Sequence, residues 1–318
     1  MNILFVADPL ASFKIYKDTT FAMMREAQKR GHRISACEPQ DISWQTGRKV
    51  SAHTRHIVLT GDKVTWFTAD ATRPDQMMDI ASFDAVVMRK DPPFDSEFFY
   101  TTHLLEQAER EGARVFNKPR ALRDHPEKLA ILEFAQFSGP TLVTRSAADI
   151  KRFHAEHKDI ILKPLDGMGG MGIFRVKEDG MNLGSIIETL NKEGAESVMV
   201  QKFLPEIVKG DKRVLVIGGK PVPFSLARIP QGGEVRGNLA AGGLGVAQPL
   251  SARDFEIAHA LGPILASRGL LLAGIDVIGD YVTEINVTSP TCFQEIHDQT
   301  GFDVPAIFID ALEAALAA

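Results

Sequence analysis

The sequence has little cysteine and no excess of positive charge. Only Cys37 and Cys292 occur among 318 residues, too few for a disulfide framework or a zinc cluster and typical of a reducing compartment. The formal net charge is -5, whereas general nucleic-acid binders need a basic surface to displace counterions from phosphates. We therefore expect two structural thiols and no nucleic-acid partner.

Long apolar runs are also missing. The first residues, MNILFVADP, form a run far shorter than the ~20 residues of a membrane span and lack the basic region of a signal peptide. A cytoplasmic protein without a membrane partner is the expectation. With 44% hydrophobic and 24% charged residues, the chain has the composition of a globular protein and is long enough for two or three domains.

Strand and helix patterns alternate over the first third of the chain. The candidates are strand 2–8, helix 19–30, a strand from Ile34, strand 84–88, helix 96–110 and strand 114–116. Gly31 supplies the stop signal of the first helix. Because such alternation is typical of parallel sheets, we predict an α/β domain with an open, mainly parallel sheet over residues 1–123.

The pattern changes after this point. A helix is predicted from Pro126 and Glu127 through Phe137, followed by a short strand, a helix after Ser146 and the strand DIILKP. Short β-rich runs with few helices between them come next, at 172–177, 197–203, 211–218 and 222–229. Such runs favour antiparallel pairing, so the remainder is predicted to be α+β. A helix near 252–268, a hairpin over 274–287 and a closing helix complete the chain.

A glycine-rich segment lies between two of these runs. Residues 230–245, PQGGEVRGNLAAGGLG, hold six glycines and show almost no hydrophobic periodicity. A loop of this length is either an active-site lid or a flexible connector, and length alone does not separate the two.

A second glycine-rich segment follows the strand that ends at Lys163. Gly167, Gly169, Gly170 and Gly172 fall within six residues, where backbone N–H groups can approach an anion closely. No Gly-Lys-Ser/Thr follows and the next segment is strand-like, so neither a Walker A loop nor a dinucleotide fingerprint is present. The segment is a phosphate cradle in which Lys163 reaches the phosphates, or else a simple turn beside a surface lysine.

The strongest chemical signal is a set of oxygen donors near the C-terminus. Glu284 and Asn286 are two apart on a predicted strand and project from one face, and Asp276 lies on the preceding strand. Such donors suit a magnesium ion that bridges nucleotide phosphates, although solvated polar residues on a half-exposed strand are the alternative. A three-residue loop or a bulge would pair Asp276 with Glu284, whereas a tight two-residue turn without a bulge would count against Asp276.

Three arginines lie between these features. Arg213 and Arg228 occur on predicted strands among apolar neighbours, and Arg236 lies in the 230–245 segment. A buried guanidinium needs an anion, so the first two are candidates for stabilising a transferring phosphoryl group, with structural ion pairs as the alternative.

Weaker candidates concern the nucleoside and the second substrate. The run VMVQKFL at 198–204 leads into a bend that could present backbone groups to a purine. Asp211 could accept hydrogen bonds from a ribose, or be an ordinary surface carboxylate. Arg89 and Lys90, beside a proline turn, could bind substrate carboxylates or be surface charges.

Taken in order, these features resemble the ATP-grasp superfamily, in which two α+β subdomains close on ATP. Five segments are similar to the prokaryotic glutathione synthetase family: MRKDPPFDSEF at 88–98, NKP at 117–119, ILKPLDGMGG at 161–170, ARIPQGGEVRGNLAAGG at 227–243 and TEINVTSPTC at 283–292. The resemblance implies a pre-ATP-grasp domain at 1–123, a small ATP-grasp subdomain at 124–204 and a C-terminal subdomain at 205–318, which carries the lid at 230–245.

The resemblance also implies roles for individual residues. Lys128 and Lys163 would contact ATP phosphates with Gly167, Gly169 and Gly170, and Gln201, Leu204 and Asp211 would bind adenine and ribose. Asp276, Glu284 and Asn286 would hold magnesium, with two ions expected and Mn²⁺ able to substitute. Arg213, Arg228 and Arg236 would act in catalysis, and Arg89 with Ser289, Pro290 and Thr291 would line the substrate side.

The implied reaction joins γ-glutamylcysteine to glycine through an acyl phosphate, with ATP as co-substrate, in a cytoplasmic homotetramer. One rival is another ATP-grasp ligase, such as one that joins D-alanines or adds glutamate to a peptide. A second is a nucleotide-binding regulator without catalysis, which would not need the complete set of cation ligands and arginines. A dehydrogenase is disfavoured because Asp8-Pro9-Leu10-Ala11 replaces the glycine-rich turn that it requires.

Overall fold

The computed structural model describes residues 1–317, with Ala240 described through its backbone alone. The N-terminal unit contains eight strands and three α-helices. Its strands are β1 Asn2–Ala7, β2 Arg33–Cys37, β3 Ile42–Ser43, β4 Ser51–Leu59, β5 Phe67–Ala69, β6 Gln76–Asp79, β7 Ala85–Arg89 and β8 Val115–Phe116. Its helices are α1 Thr19–Lys29, α2 Ser96–Arg110 and α3 Pro119–Asp124.

The centre of the N-terminal unit is the predicted parallel sheet. Strand β1 pairs in parallel with β2 and β7, and β7 pairs in parallel with β8. Because β1 and β7 are covered on both faces, they are nearly continuous runs of buried apolar residues. An antiparallel extension, in which β4 joins β2 to β3, β5 and β6, was not predicted. The burial pattern of β4 is mostly alternating, as in a strand with one face on the core.

The small unit follows in the chain. Its elements are β9 Thr141–Thr144, α4 Ala147–His157, β10 Ile160–Pro164, β11 Phe174–Val176, α5 Leu183–Asn191 and β12 Val198–Lys202. The strands form an antiparallel sheet in the order β11-β10-β12-β9. The two helices cover one face, where Ile150 and Ile187 pack with Leu162 and Val200 in a core of their own.

The large unit supplies most of the remaining chain. Its elements are β13 Asp211–Ile217, β14 Lys220–Ile229, β15 Leu244–Pro249, α6 Ala252–Ser267, β16 Leu272–Ile278, β17 Tyr281–Asn286, α7 Phe293–Thr300 and α8 Val304–Ala317. The sheet is antiparallel throughout, in the order β15-β14-β13-β16-β17. The antiparallel α+β arrangement predicted for this part of the chain is confirmed.

One predicted helix is wrong. Residues 126–137 do not form an α-helix, since Leu129–Phe137 is 3₁₀-helical and contains a non-helical residue, Phe134. The carbonyl of Glu127 accepts a hydrogen bond from the backbone N–H of Ile285 (3.0 Å), so β17 takes the acceptor that a helix would need. The segment is therefore tied to β17, which fixes Glu127 and Lys128 beside the residues discussed below.

The N-terminal and large units share a hydrophobic core. Ile3, Phe5 and Met23 belong to the same buried cluster as Phe293 and Phe308. Buried polar contacts add to this, because the Asn117 amide donates to the carbonyls of Leu272 and Val287, both at 2.7 Å. In the described part of the chain, no helix has the length and apolar character needed to cross a membrane.

Candidate active site

A cavity of about 460 Å³ lies where the three units meet. One wall is the sheet of the large unit. The opposite wall consists of the glycine loop, residues 165–173 between β10 and β11, and the segment 230–238 that follows β14. The N-terminal unit closes one end with residues from 12–20 and the end of β7. The sequence-predicted site residues all line this cavity except Lys90 and Pro290.

The sheet wall carries four charged side chains, here called the carboxylate–arginine network: the buried Arg213, Arg228 and Asp276 and the partly buried Asp211. Strand pairing places Asp211 beside Arg228 and Arg213 beside Asp276. Arg213 binds Asp276 through two nitrogens, Nε at 2.6 Å and Nη2 at 3.2 Å. Nη2 of Arg228 lies 2.5 Å from Asp211 Oδ2 and 2.9 Å from Asp276 Oδ2, which joins the two pairs.

The network shifts the pKa values of its members in opposite directions. Burial disfavours ionised Asp276, but Arg213 and Arg228 outweigh it and hold its pKa well below the usual range. For Asp211, burial outweighs Arg228 and raises the pKa to about 6. The Oδ1 atom of Asp211 is buried without a hydrogen-bond partner, so it is the member with an acceptor left over.

The β16–β17 hairpin has the register predicted for a shared oxygen-donor site. Ile278 pairs with Tyr281 across a two-residue turn, and Val277 pairs with Val282. The register then shifts by one residue, so that Asp276 pairs with Glu284 rather than Thr283. Of the two arrangements that would pair these residues, a three-residue loop or a bulge, the structure has the bulge, which brings the two carboxylates to adjacent positions.

The three predicted oxygen donors differ in how many of their oxygen atoms already bind other side chains. Both Asp276 oxygens accept from the arginines, whereas Glu284 uses Oε1 for Lys128 Nζ at 3.1 Å. Asn286 donates through Nδ2 to the carbonyl of Gly274 (3.1 Å), which leaves its carbonyl oxygen as a donor atom for a cation. Residues 1–317 contain no cluster of three or more His, Cys, Asp and Glu side chains suited to a metal. Two carboxylates and an amide oxygen are nevertheless donors of the kind that a hard cation prefers when phosphates supply its remaining oxygens.

Two lysines lie between the glycine loop and β17. The ammonium of Lys128 lies 2.5 Å from the carbonyl of Gly167 and also pairs with Glu284. Lys163 donates to the carbonyl of Thr283 (3.2 Å), and its burial lowers its pKa. Both charges are aimed at the space beneath the glycine loop, where an anion would be bound.

The glycine loop has the backbone that close approach to an anion requires. Gly169 and Gly170 have positive φ angles of 61° and 85°. A Cβ on Gly170 would lie 2.7 Å from Asn238 Oδ1, and one on Gly167 would lie 2.8 Å from Pro164 Cγ. A side chain at either position would collide with the surrounding atoms, so the cradle depends on glycine.

The predicted 230–245 loop is shorter than expected. Residues 239–241 form a 3₁₀ turn, and β15 begins at Leu244. The remaining 230–238 segment lies against the glycine loop, with Arg236 Nη1 at 3.5 Å from the Gly170 carbonyl. Arg236 lines the cavity and is paired with Glu234 (2.9 Å), and no ion pair among the described residues joins it to the carboxylate–arginine network.

The far end of the cavity is lined by the end of β12 and the bend after it. Gln201 donates through Nε2 to Thr141 Oγ1 (3.1 Å), and Leu204 follows at the start of a 3₁₀ turn. Asp211, predicted beside the ribose, is the one member of this group that also belongs to the carboxylate–arginine network.

The N-terminal end of the cavity contains Arg89. Its guanidinium is buried, with Nε donating to Thr20 Oγ1 (3.1 Å) and Nη2 to the Pro290 carbonyl (3.0 Å). Burial lowers the pKa of Arg89 to about 10, so the group stays charged at neutral pH. Lys90 instead pairs with Asp8 at 2.8 Å and does not line the cavity, while Ser289 and Thr291 do.

Sequence reasoning missed Glu127. Its Oε1 accepts hydrogen bonds from the backbone N–H groups of Val287 and Thr288 and from the Thr288 hydroxyl, at 2.8 to 3.0 Å. Burial and the charge of Glu284 raise its pKa. Its position next to Lys128 was the only available signal, because the strand end that it holds is 160 residues away. Cys292, also missed, is a buried thiol in the cavity wall whose pKa burial raises.

The architecture is that of ATP-grasp ligases. Over 100% of this chain and 98% of the other, the structure aligns with ATP-grasp ligase PsnB complexed with a precursor peptide and AMPPNP, with a TM-score of 0.62 and 21% identity. D-cycloserine synthetase aligns over 99% of both chains with a TM-score of 0.68 and 16% identity. At these identities the likeness concerns the fold, and the predicted fold class is confirmed.

Sequence comparison defines the family. The model of the prokaryotic glutathione synthetase N-terminal domain matches residues 1–123, and that of the ATP-grasp domain of the same family matches 127–301. Glutathione synthetase of Ralstonia nicotianae is 61% identical over 99% of this chain and 96% of its own length. That of Shewanella oneidensis is 50% identical over 98% of both. The chain belongs to the prokaryotic glutathione synthetase family, and the predicted ATP-dependent ligase activity is confirmed.

Proposed function

We propose that the cavity joins γ-glutamylcysteine to glycine at the expense of ATP, through an acyl phosphate. The observation that supports this best is the arrangement of buried charges. The glycine loop on one wall faces two arginines and three oxygen-bearing side chains on the other, and two lysines lie between them. This is the complement needed for phosphoryl transfer to a carboxylate.

ATP would lie between the two ATP-grasp subdomains. Gly167, Gly169 and Gly170 would present backbone groups to the phosphates, and Lys128 and Lys163 would supply the nearby positive charge. Gln201 and Leu204 would contact the adenine, and Asp211 has a buried Oδ1 without a partner that could accept from a ribose hydroxyl. Burial lowers the pKa of Lys163, and the charge of Glu284 offsets this only in part. A phosphate bound beside Lys163 would add a further negative charge and stabilise its ammonium form.

Asp276, Glu284 and Asn286 would hold magnesium, with two ions expected and Mn²⁺ as a substitute. Bound there, the cation would neutralise phosphate charge and favour departure of ADP. The carboxylate–arginine network would remain beside it, since each Asp276 oxygen has lone pairs for more than one partner.

In the first step, an oxygen of the cysteinyl carboxylate attacks the γ-phosphorus of ATP, and the bond to ADP breaks. A free carboxylate is a poor acyl donor, whereas in the acyl phosphate phosphate is the leaving group. Arg213 and Arg228 would stabilise the negative charge on the transferring group, because their guanidinium groups are buried and held in place before substrate arrives.

In the second step, the neutral amine of glycine attacks the acyl carbon, the bond from that carbon to the phosphate oxygen breaks, and phosphate leaves with the proton that the amine loses. Arg236 would arrive with the lid, residues 230–238, which already contacts the glycine loop. A closed lid would keep water from the acyl phosphate, which otherwise hydrolyses. Ser289, Pro290 and Thr291 would form the turn beside the amino-acid substrates, with Pro290 held through its carbonyl by Arg89.

Domain limits, assembly and location are proposed from the family resemblance. The limits are 1–123, 124–204 and 205–318, with a homotetramer in the cytoplasm. The small unit has a hydrophobic core of its own, which supports its treatment as a separate subdomain. Analytical ultracentrifugation of the purified protein would test the tetramer.

Phosphate release with ATP, magnesium and γ-glutamylcysteine, with and without glycine, tests the proposed function. Glycine-dependent release with a tripeptide product is expected. Release only with D-alanine would retain the ligase chemistry but change the substrates, and bound ATP without release under any of these conditions would contradict catalysis.

A further inference from the structure

Two side chains of opposite charge, neither of them in an ion pair among the described residues, line the cavity. One is Arg89, whose buried guanidinium forms no ion pair in residues 1–317. Its described hydrogen bonds use Nε and Nη2, so Nη1 remains for a ligand. A buried guanidinium without a carboxylate partner is costly, and a bound anion would offset that cost.

The other charge is Glu295, in the first turn of α7. It lines the same cavity, its Oε2 atom is buried without a hydrogen-bond partner, and no ion pair involves it over the described range. Burial raises the pKa of Glu295, and Lys17, which opposes this shift, does not come within ion-pair distance. The carboxylate therefore lacks a cation, although the cavity in front of it has room for one.

We propose that Arg89 binds the α-carboxylate and Glu295 the α-ammonium of the γ-glutamyl group. This inference rests on the proposed function and names the part of the substrate that these residues recognise. The γ-glutamyl group carries both charges on one carbon, remote from the carboxylate that is phosphorylated. Asp18 and Asp91 also lie near Arg89 and favour its charged form, and Asp18 is already the N-cap of α1.

Glycine, the other zwitterion, fits this pair poorly. Its amine must be neutral to attack the acyl phosphate, and a nearby carboxylate would stabilise the ammonium form instead. The reacting carboxylate of the dipeptide is assigned to the region of Arg213 and Arg228. Arg213 is close enough for its charge to act on Arg89, so the two ends of one dipeptide would lie within the same cavity.

Two substrate analogues separate the two contacts. Glutaryl-cysteine lacks only the α-ammonium, and 4-aminobutanoyl-cysteine lacks only the α-carboxylate. The experiment measures kcat/KM of wild type, Glu295→Gln and Arg89→Gln with each analogue and with γ-glutamylcysteine. Glu178→Gln, an exposed carboxylate of the small unit, serves as the matched control.

Glu295→Gln is expected to lower kcat/KM for γ-glutamylcysteine on the order of 10–100-fold, mainly through KM, and to leave glutaryl-cysteine within about 2-fold. Arg89→Gln should lower kcat/KM for γ-glutamylcysteine to a similar degree and leave that for 4-aminobutanoyl-cysteine within about 2-fold, because this analogue lacks the α-carboxylate. The KM values of ATP and glycine, and the Glu178→Gln control, should stay unchanged.

Equal losses with γ-glutamylcysteine and the matching analogue would overturn the assignment, as would a change confined to the KM of glycine. Glu295→Gln is nearly isosteric, so it tests the ammonium contact even if Arg89→Gln does not fold. Failure of wild type to form the tripeptide would instead contradict the proposed function itself, so the two failures are distinguishable.

Discussion

The two walls of the cavity are built differently. On the sheet wall, every charge of the carboxylate–arginine network is at least partly buried and has an opposite partner on a neighbouring strand. The loop wall, formed by 165–173 and 230–238, is held by a few bonds to backbone carbonyls, such as those from Lys128 and Arg236. The sheet wall is held in place by the antiparallel pairing of β13 with β14 and β16 and of β16 with β17. The loop wall depends instead on glycines with positive φ.

Because of this difference, we expect the two walls to have different roles in catalysis. Groups that stabilise charge in a transition state act best when their positions are fixed before the reaction. Groups that admit a nucleotide and then exclude water must move, and segments with few buried contacts open most easily. Substitutions on the sheet wall should therefore affect the chemical step, and those on the loop wall should affect nucleotide binding.

The largest expected effect is on the sheet wall. Arg228→Ala should lower kcat by about 10²-fold or more while ATP binding remains measurable, because the arginine is assigned to the transferring phosphoryl group. Steady-state kinetics and calorimetric titration with ATP measure both quantities. Arg152→Ala, on the exposed face of α4, is the control, and an unchanged kcat for Arg228→Ala would remove its assigned role.

Next in size is the response to magnesium. Glu284→Gln removes a carboxylate oxygen from the proposed cation site, and we expect the magnesium concentration for half-maximal activity to rise roughly 10–100-fold. EDTA should abolish phosphate release by the wild type. Glu188→Gln on the exposed surface of α5 should behave like wild type, and an unaltered magnesium requirement in Glu284→Gln would exclude this residue as a ligand.

A smaller effect is expected on the loop wall. In Gly170→Ala, the new Cβ would meet Asn238 at 2.7 Å and the φ angle of 85° would be strained, so the lid should close poorly. We expect the KM of ATP to rise roughly 10-fold with a lesser change in kcat. Gly184→Ala is the matched control because its Cβ would have no neighbour within 4 Å. Equal effects of the two substitutions would contradict the account of this wall.

The smallest effect concerns the pH dependence of stability. The pKa of Asp211 is raised to about 6 in the folded protein, against 3.8 for a solvent-exposed aspartate carboxyl. The folded state therefore binds this proton more tightly, so the stability from Asp211 is full below about pH 4 and is lost as pH rises through about 6.

Asp211→Asn should remove this pH-dependent decrease in the free energy of unfolding, because asparagine does not titrate. The free energy of unfolding of wild type minus that of the variant should fall between pH 4.5 and 7.5, by on the order of 1 kcal/mol. Urea unfolding at the two pH values measures the difference. A difference independent of pH would show that Asp211 does not titrate in this range.

The features predicted well are those encoded within a few residues. The alternation of Glu284 and Asn286 placed both on one strand face. The spacing around Gly279-Asp280 alone would pair Asp276 with Thr283, and the bulge that pairs it with Glu284 was expected only because a shared cation site requires it. Likewise, the apolar run at residues 2–8 predicted a strand, and β1 lies there in the parallel sheet. Local periodicity and turn chemistry carry this information directly.

Contacts between distant strands could not be predicted in the same way. That Arg228 joins both Asp211 and Asp276 depends on the order β14-β13-β16, which no local pattern specifies. The backbone carbonyl and the side-chain carboxylate of Glu127 both accept hydrogen bonds from the 285–288 segment. Because these bonds are long-range, the sequence did not reveal that a 3₁₀-helical segment would form in place of the predicted helix. The residue roles assigned to ATP, magnesium and glycine remain predictions.

The most direct test of the account follows an oxygen atom. γ-Glutamylcysteine labelled with ¹⁸O in its cysteinyl carboxylate is incubated with ATP, magnesium, glycine and enzyme, and the released phosphate is analysed by mass spectrometry. If the carboxylate is phosphorylated and phosphate then leaves, each phosphate carries one oxygen from the labelled carboxylate. Tripeptide formation with unlabelled phosphate would contradict an acyl phosphate and the functions assigned to both walls.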